Sequence, residues 1–349
     1  MNIIRPNSIS WTFRALAAIL FFGMAIGCAS SPTAMGDLTS LGRKSPTIFP
    51  ESSSNWPLDP LSAEDLMRSA PMQIVSESYA GAGISGARRI EAHYQGKEQP
   101  LTLKWKTMPQ TLDGINNSPR REIASYRAQF LFLDPVDFIV PPSVARCLAP
   151  GAFAEPDSHR SLVRRKTNCE LGILSLWLRD VEIPNPLYDE TRFLSDPTYA
   201  RQLANFNLLT YLIRHRDGRD GNFLSSKDSF RPITFAIDNG MTFGGFFYNW
   251  FVDNWDEIEV PALPRESIDR LRGVTKRDIE KLGIIAELHL DTNGIYRSVA
   301  HGKNLDRDDG VRTKAGIIQL GLTDDEIEDV WKRIEDLLED VDGGKIPLF

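Results

Sequence analysis

Apolar and polar positions change rhythm twice along the chain. Residues 28–70 show no sustained period and are rich in Ser and Pro, as in Ser30-Ser31-Pro32, Lys44-Ser45-Pro46 and Ser52-Ser53-Ser54. That composition reads as a flexible tether. From Met72 the period becomes that of strands. Met72 to Tyr79 and Arg88 to Tyr94 read as two strands, and Leu101 to Trp105 alternates as a half-buried strand does. Pro119 to Leu133 is helical, with Ile123, Tyr126, Ala128 and Phe130 contributing to one apolar face. Phe138 to Ala145 and Leu171 to Leu178 read as paired strands, so the first half is a five-strand sheet interrupted by one helix.

Beyond Pro184 helical spacing takes over. Pro197 to His215 is a long helix with Leu203, Phe206, Leu209, Leu212 and Ile213 on its apolar side, followed after a loop by a short strand, Ile233 to Ile237. Ser267 to Leu271, Lys276 to Leu282 and Asp324 to Leu338 read as helices, the last opened by a capping box, Thr323 with Glu326. Strands first and helices afterwards predict an α+β, bilobed architecture: a small β-rich lobe with one helix over 71–183, and a larger, mainly helical lobe over 184–349.

The N-terminus carries an address. Met1 to Arg14 holds Arg5 and Arg14 and no acid, and an apolar run from Ala15 to Gly27 follows. A basic stretch, a short apolar core and small residues before Cys28 describe a secretory signal peptide over 1–27, too short for a confident membrane span. Small residues directly before Cys28 resemble a bacterial lipobox, in which that Cys is lipidated and becomes the mature N-terminus. The alternative is an ordinary or uncleaved signal with a chance Cys. With Ala29 next, the expectation is an exported lipoprotein sorted to the outer membrane, facing periplasm or surface. In that compartment Cys147 and Cys169, which flank an apparent hairpin, are expected to bridge; two half-buried thiols are the other reading.

Composition adds exclusions. The 349 residues are 42% hydrophobic and 25% charged with only 3 Cys, which rules out disorder and disulfide-dense miniproteins. The formal charge of −7, falling by two to −9 if residues 1–27 are removed, argues against broad electrostatic binding of nucleic acid.

The chemistry-bearing residues come in a definite order. His215-Arg216-Asp217, with Asn222 five positions after the Asp, fits H-R-D-x-x-x-x-N, in which the Asp takes or orients a hydroxyl proton and the Asn binds a metal ion. Asp238-Asn239-Gly240 follows at the end of an apolar strand, where a carboxylate can hold Mg²⁺ against nucleotide phosphates. The bland reading of these pieces is an Asx-rich turn and an Asn-Gly hairpin. Upstream, Gly81, Gly83 and Gly86 form a G-x-G-x-x-G between two strands, an arrangement that lays backbone amides over phosphates; a Gly-rich hairpin turn is the plainer possibility. Lys104 and Lys106 share one strand face, and one of them should reach the phosphates; Lys104 is preferred because a small residue, Thr102, stands two before it. Glu122 is then the candidate ion-pair partner that orients the lysine.

These residues resemble the protein-kinase-like superfold in its atypical branch, which includes phosphatidylinositol 3-/4-kinases, HipA kinases and the secretory Four-jointed and Golgi casein kinases. Arg121-Glu122-Ile123-Ala124-Ser125-Tyr126-Arg127 is similar to the Glu-bearing helix of those families, and Ile237-Asp238-Asn239-Gly240-Met241-Thr242-Phe243 to their Asp-Asn-Gly-x-x-Phe metal motif. The resemblance implies ATP in an interlobe cleft with Mg²⁺ or Mn²⁺, and a hinge near Leu176, Trp177 and Leu178. It departs at Gly218-Arg219 after Asp217 and in having no Ala-Pro-Glu segment, which leaves the acceptor open: a hydroxyl of a protein, saccharide or lipid. Expected roles are Asp217 as base, Asn222 and Asp238 as metal ligands, Lys104 as phosphate clamp and Glu122 as its orienter. Adenylyl transfer from the same site and a catalytically silent pseudokinase scaffold are the competing readings. The aromatic run Phe246 to Phe251 reads as core or as a substrate platform, His215 as a brace for the loop, and the acidic run Asp324 to Glu328 as a solvated helix start without function.

Overall fold

The computed structural model describes residues 55–80, 86–114, 117–149, 152, 167–218, 221–244 and 255–349. The signal segment, Cys28 and most of the expected tether lie outside these residues, as do Gly81, Gly83 and the aromatic run. Where the tether was expected to end, the chain is already folded. Asp59 accepts from the backbone N–H groups of Leu61 and Ser62, and Pro60 takes the first helical position, so helix α1 (Pro60–Ser69) starts there. Its Ala63 and Met67 are fully buried, which corrects the tether reading for residues 55–70. The cause is apolar residues at i and i+4, hidden in a Ser/Pro-rich stretch.

Strands β1 (Met72–Tyr79), β2 (Arg88–Tyr94) and β3 (Leu101–Thr107) pair antiparallel in sequence order. Helix α2 (Pro119–Ala128) then crosses to β4 (Ser143–Leu148) and β5 (Glu170–Leu176). Because β5 pairs with both β3 and β4, the order is β1-β2-β3-β5-β4. Ile90, Leu103, Trp105 and Leu174 are buried in the core. The expected strand at Phe138 is shorter than its apolar run, because Pro141 and Pro142 interrupt the ladder before Ser143. Cys147 and Cys169 form a disulfide between β4 and the residue preceding β5, as expected from their placement.

A short strand, β6 (Val181–Glu182), and helix α3 (Glu190–Ser195) lead to α4 (Pro197–Leu212). Asp196 caps α4, accepting from Thr198 and Tyr199 N–H. Apolar residues occupy most of its circumference, so α4 is a buried spine rather than a surface helix. It ends three residues earlier than expected, at Leu212, where Arg214 turns left-handed with φ 52° and His215 N–H returns to the Thr210 carbonyl. Strands β7 (Phe223–Ser226) and β8 (Thr234–Ala236) join β6 in a three-stranded sheet.

Helices α5 (Arg265–Arg272) and α6 (Lys276–Glu280) precede a sheet that the hydrophobic pattern did not reveal: β9 (Ala286–Leu290), β10 (Tyr296–Ser298), β11 (Val311–Lys314) and β12 (Ile317–Leu320), in the order β10-β9-β12-β11. The strands are short and carry charged residues, which hides their period; the Asn293-Gly294 turn was the legible signal. Tyr296 N–H donates to Cys169 Sγ and Asn168 N–H to the Gly294 carbonyl, so this hairpin abuts the disulfide end of the first sheet. Helix α7 (Asp324–Asp342) closes the chain with both capping-box bonds formed between Thr323 and Glu326. The architecture is α+β, with a five-stranded sheet carrying α1 and α2, and a larger portion in which helices α3 to α7 accompany two smaller sheets.

Candidate functional site

Strand β3 sends Lys104 and Lys106 out on one face, and the turn after β8 sends Asp238 to meet them. Lys106 Nζ donates to Glu122 Oε1 at 3.1 Å, Asp238 Oδ1 at 3.0 Å and Asn117 Oδ1 at 2.9 Å. Lys104 Nζ has Asp238 Oδ1 at 3.2 Å. Glu122 therefore pairs with Lys106, and the preference for Lys104 as its partner is corrected. β3 continues to Thr107, and that extra length carries Lys106 inward, level with α2. Thr102, the signal for Lys104, is a poorer guide than this reach.

Burial of Lys106 would pull its ammonium down, but the carboxylates of Glu122 and Asp238 outweigh it and hold the group above its ordinary value. Burial likewise pushes Asp238 up, while Lys104 and Lys106 together hold its carboxyl well below the usual range. Both stay charged at neutral pH. Such a cluster is costly to break: removing one partner of a buried ion pair typically destabilises by about 3–5 kcal/mol.

The turn carrying Asp238 is fastened to α2 at three points. Glu122 Oε2 accepts from Asn239 N–H at 2.9 Å, the Gly240 carbonyl accepts from Ser118 N–H at 2.9 Å, and Ser125 Oγ bonds Thr242 Oγ1 at 3.0 Å. Asp238 itself is left-handed, with φ 58° and ψ 48°, a region that Asp tolerates better than most residues. Gly240 has a steric reason: the Asn117 amide occupies the space a Cβ would fill. Asn117 thus joins Lys106 to the Asp-Asn-Gly turn, and nothing in its local sequence pattern singled it out.

The 215–222 loop lies beside this turn. Asn222 Nδ2 donates to the Asp217 carbonyl at 2.8 Å, and the Asn222 carbonyl accepts from Ile237 N–H at 2.8 Å, one residue before Asp238. Asp217 and Asn222 are both buried. The His215 ring packs on Phe223 at 4.8 Å, and its Nδ1 faces Asp217 N–H at 3.4 Å. Burial drives its pKa down to about 4, with Asp238 and Asp256 opposing, so the ring is neutral at pH 7 and serves as a brace.

A cleft of about 570 Å³ opens between the two portions. Lys104, Glu122 and Asp238 stand on its charged side; Leu176, Trp177 and Leu178, the expected hinge, are on its wall, and Leu224 and Ile237 supply further apolar lining. Trp177 N–H is taken by the Thr102 carbonyl at 3.1 Å. Gly86 is described, with φ 62°, and it is not among the cleft-lining residues.

The hold on α2 extends to distant segments. Arg120 binds Glu326 with contacts of 2.6 and 3.0 Å, and Arg121 reaches the same carboxylate at 2.9 Å. At the other end of α2, Tyr126 Oη donates to Glu64 Oε2 at 3.0 Å, and Arg127 pairs with the same acid. Asn55 holds the stretch after the hinge, donating to the carbonyls of Arg179 and Asp180 at 2.9 and 3.2 Å.

The donor set suits a hard divalent cation. An ionised Asp238 and the amide oxygen of Asn222, whose Nδ2 donates to the Asp217 carbonyl, offer oxygen ligands. Among the described residues no group of three or more His, Cys, Asp or Glu side chains is placed to hold a metal ion; one or two protein oxygens completed by substrate phosphates is the usual pattern for Mg²⁺. No family model matches this chain, and no curated protein matches it. Among solved structures, the crystal structure of the Golgi casein kinase is similar with a TM-score of 0.41 and 14% identity, over 63% of this chain and 68% of that one.

Proposed function

We propose that the chain is a kinase-like enzyme that transfers the γ-phosphoryl group of ATP to a hydroxyl acceptor. The observation that carries this reading is the buried Lys106–Glu122 pair, meeting Asp238 at the charged side of an apolar cleft. In it, Lys106 holds phosphate oxygens while Glu122 fixes its position, and Lys104 adds a second cation. Asn222 and Asp238 hold Mg²⁺ or Mn²⁺, which when bound neutralises phosphate charge. Asp217 orients the acceptor hydroxyl and takes its proton, and Leu176 to Leu178 flank the base. Positioning and charge neutralisation then supply most of the rate.

Export belongs to the same proposal. The Cys147–Cys169 bridge supports an oxidising compartment, and Cys28 as a lipid anchor would place the enzyme on a membrane surface. The deciding experiment adds ATP with Mn²⁺ or Mg²⁺ to the purified chain, follows thermal stability, and weighs a panel of protein, saccharide and lipid acceptors after reaction. Thermal stabilisation with a gain of one phosphoryl group is expected; one adenylyl group would redirect the chemistry, and no stabilisation with either metal would favour a silent scaffold. Asp217→Ala should lower turnover at least about a hundredfold while nucleotide binding stays near the parent value. Undiminished turnover in that variant would remove Asp217 from its role.

A further inference from the structure

One wall of the cleft carries a short hydrogen-bond relay that the transfer chemistry does not use. Register pairs Lys104 with Ser175 across β3 and β5, and Ser143 with Ser175 across β4 and β5. The three side chains therefore stand in a row on one face of the sheet. Both serines line the cleft, as does Leu176 directly after Ser175.

The direction of the relay follows from counting protons. A serine hydroxyl has one proton to donate and two lone pairs. Ser143 Oγ donates to the Pro141 carbonyl at 3.0 Å, which uses its proton. With that proton on Pro141, the contact of 2.8 Å between Ser143 Oγ and Ser175 Oγ, in which either oxygen can donate, runs from Ser175 to Ser143. Ser175 is left as an acceptor only, with a lone pair for the cleft. Leu176, Leu178, Leu224 and Ile237 supply apolar surface around it. A ligand N–H is rewarded at this wall. A ligand carbonyl there meets a lone pair and stays unsatisfied, which is where binding sites discriminate most strongly.

We propose that Ser175 is a specificity-determining residue that reads an exocyclic amine on the bound nucleobase, so that adenine nucleotides are preferred over 6-keto purines. The proposal rests on the nucleotide-binding reading above and assigns it a residue outside the phosphate-handling set. Ser143 acts through Ser175 by fixing the direction of its hydroxyl.

The test compares ATP with inosine triphosphate, which replaces the amine by a carbonyl, as their Mg²⁺ salts. Affinities are measured by calorimetric titration of the full chain and of Ser175→Ala, Ser175→Thr and Ser143→Ala. The parent is expected to bind ATP about tenfold tighter than inosine triphosphate, the worth of one hydrogen bond. Ser175→Ala should bring the ratio close to one, and Ser175→Thr should restore it. Ser143→Ala frees the Ser175 proton to point into the cleft, so inosine triphosphate should bind more tightly to this variant than to the parent. Equal affinities in the parent, or an unchanged ratio in Ser175→Ala, would overturn the role of Ser175 while leaving nucleotide binding intact. Absence of binding by either nucleotide to the folded parent overturns this role together with the nucleotide reading beneath it.

Discussion

Lys104 and Lys106 leave the same face of β3 two residues apart, yet Lys104 lines the cleft and Lys106 is not among its lining residues. Lys106 belongs to an inner layer: its side chain is 8% exposed, has two carboxylates and an amide as partners, and is walled by α2. Lys104 belongs to an outer layer, with its side chain 19% exposed and its bond to Asp238 Oδ1 at 3.2 Å. The difference teaches how one strand can serve folding through one lysine and, in the proposed function, ligand binding through the other. The inner cation neutralises acids that could not be buried without it, so it is tied to the fold. Under the proposed function, the outer one exchanges its protein carboxylate for a ligand's oxygen.

The sharpest way to break this comparison is to remove the inner charge. Lys106→Met leaves a buried Glu122 and a half-buried Asp238 near each other without their shared cation. Stability should fall by about 3 kcal/mol, and phosphoryl transfer should be lost. Urea denaturation at pH 7 measures the first and a radiolabelled transfer assay the second. A variant as stable as the parent would show that solvent, rather than Lys106, compensates these acids.

Acid titration separates the inner layer from what supports it. His215 is neutral when folded, with a pKa lowered from 6.5 to about 4. Between those values the unfolded chain binds more protons, so stability falls as pH drops from 6.5 to 4, by up to roughly 3 kcal/mol. Asp238 has the opposite origin: its folded pKa is depressed, so the stability from its ion pairs is complete above the ordinary carboxylate range and is lost only as pH falls below it. The two losses occupy different windows. His215→Asn, which keeps an acceptor near Asp217 N–H, should flatten the curve between pH 6.5 and 4 and leave the lower loss unchanged. Parallel curves for parent and variant across the upper window would sink the account of the buried ring.

Much of this was legible in the sequence, and the rest was hidden for identifiable reasons. β1 and β2 match their expected spans: Pro71 precedes the first, and Gly86 and Gly96, both at positive φ, flank the second. Asp217, Asn222 and Asp238 were singled out as candidates by spacing, since each lies within a few residues of a pattern-bearing neighbour. Residues whose role depends on distant partners were not. Glu326 reads completely as the acid of a capping box, and its second task, receiving Arg120 and Arg121, has no local trace. Glu64 sat in a stretch dismissed for its Ser and Pro content, yet it holds the far end of α2. Asn117 gives no periodic signal at all, because its value is steric and polar contact with Lys106 and Gly240.

The smallest effect sharpens the comparison from the outer side. Lys104→Met removes a partly exposed ammonium whose carboxylate partner keeps Lys106. Stability should change by about 1 kcal/mol or less, within the range of solvent-accessible pairs. Nucleotide affinity should fall more than stability does, because the methionine fills the same wall but offers no charge to phosphate. The informative quantity is the ratio of the two losses, read from denaturation and from ATP titration of the same preparations. For Lys106→Met both losses are large, since the fold and the site use the same ammonium. For Lys104→Met a binding loss with intact stability would mark the outer lysine as a ligand-facing group. A stability loss equal to that of Lys106→Met would instead merge the two layers into one buried cluster, and the distinction drawn from their exposure would fail.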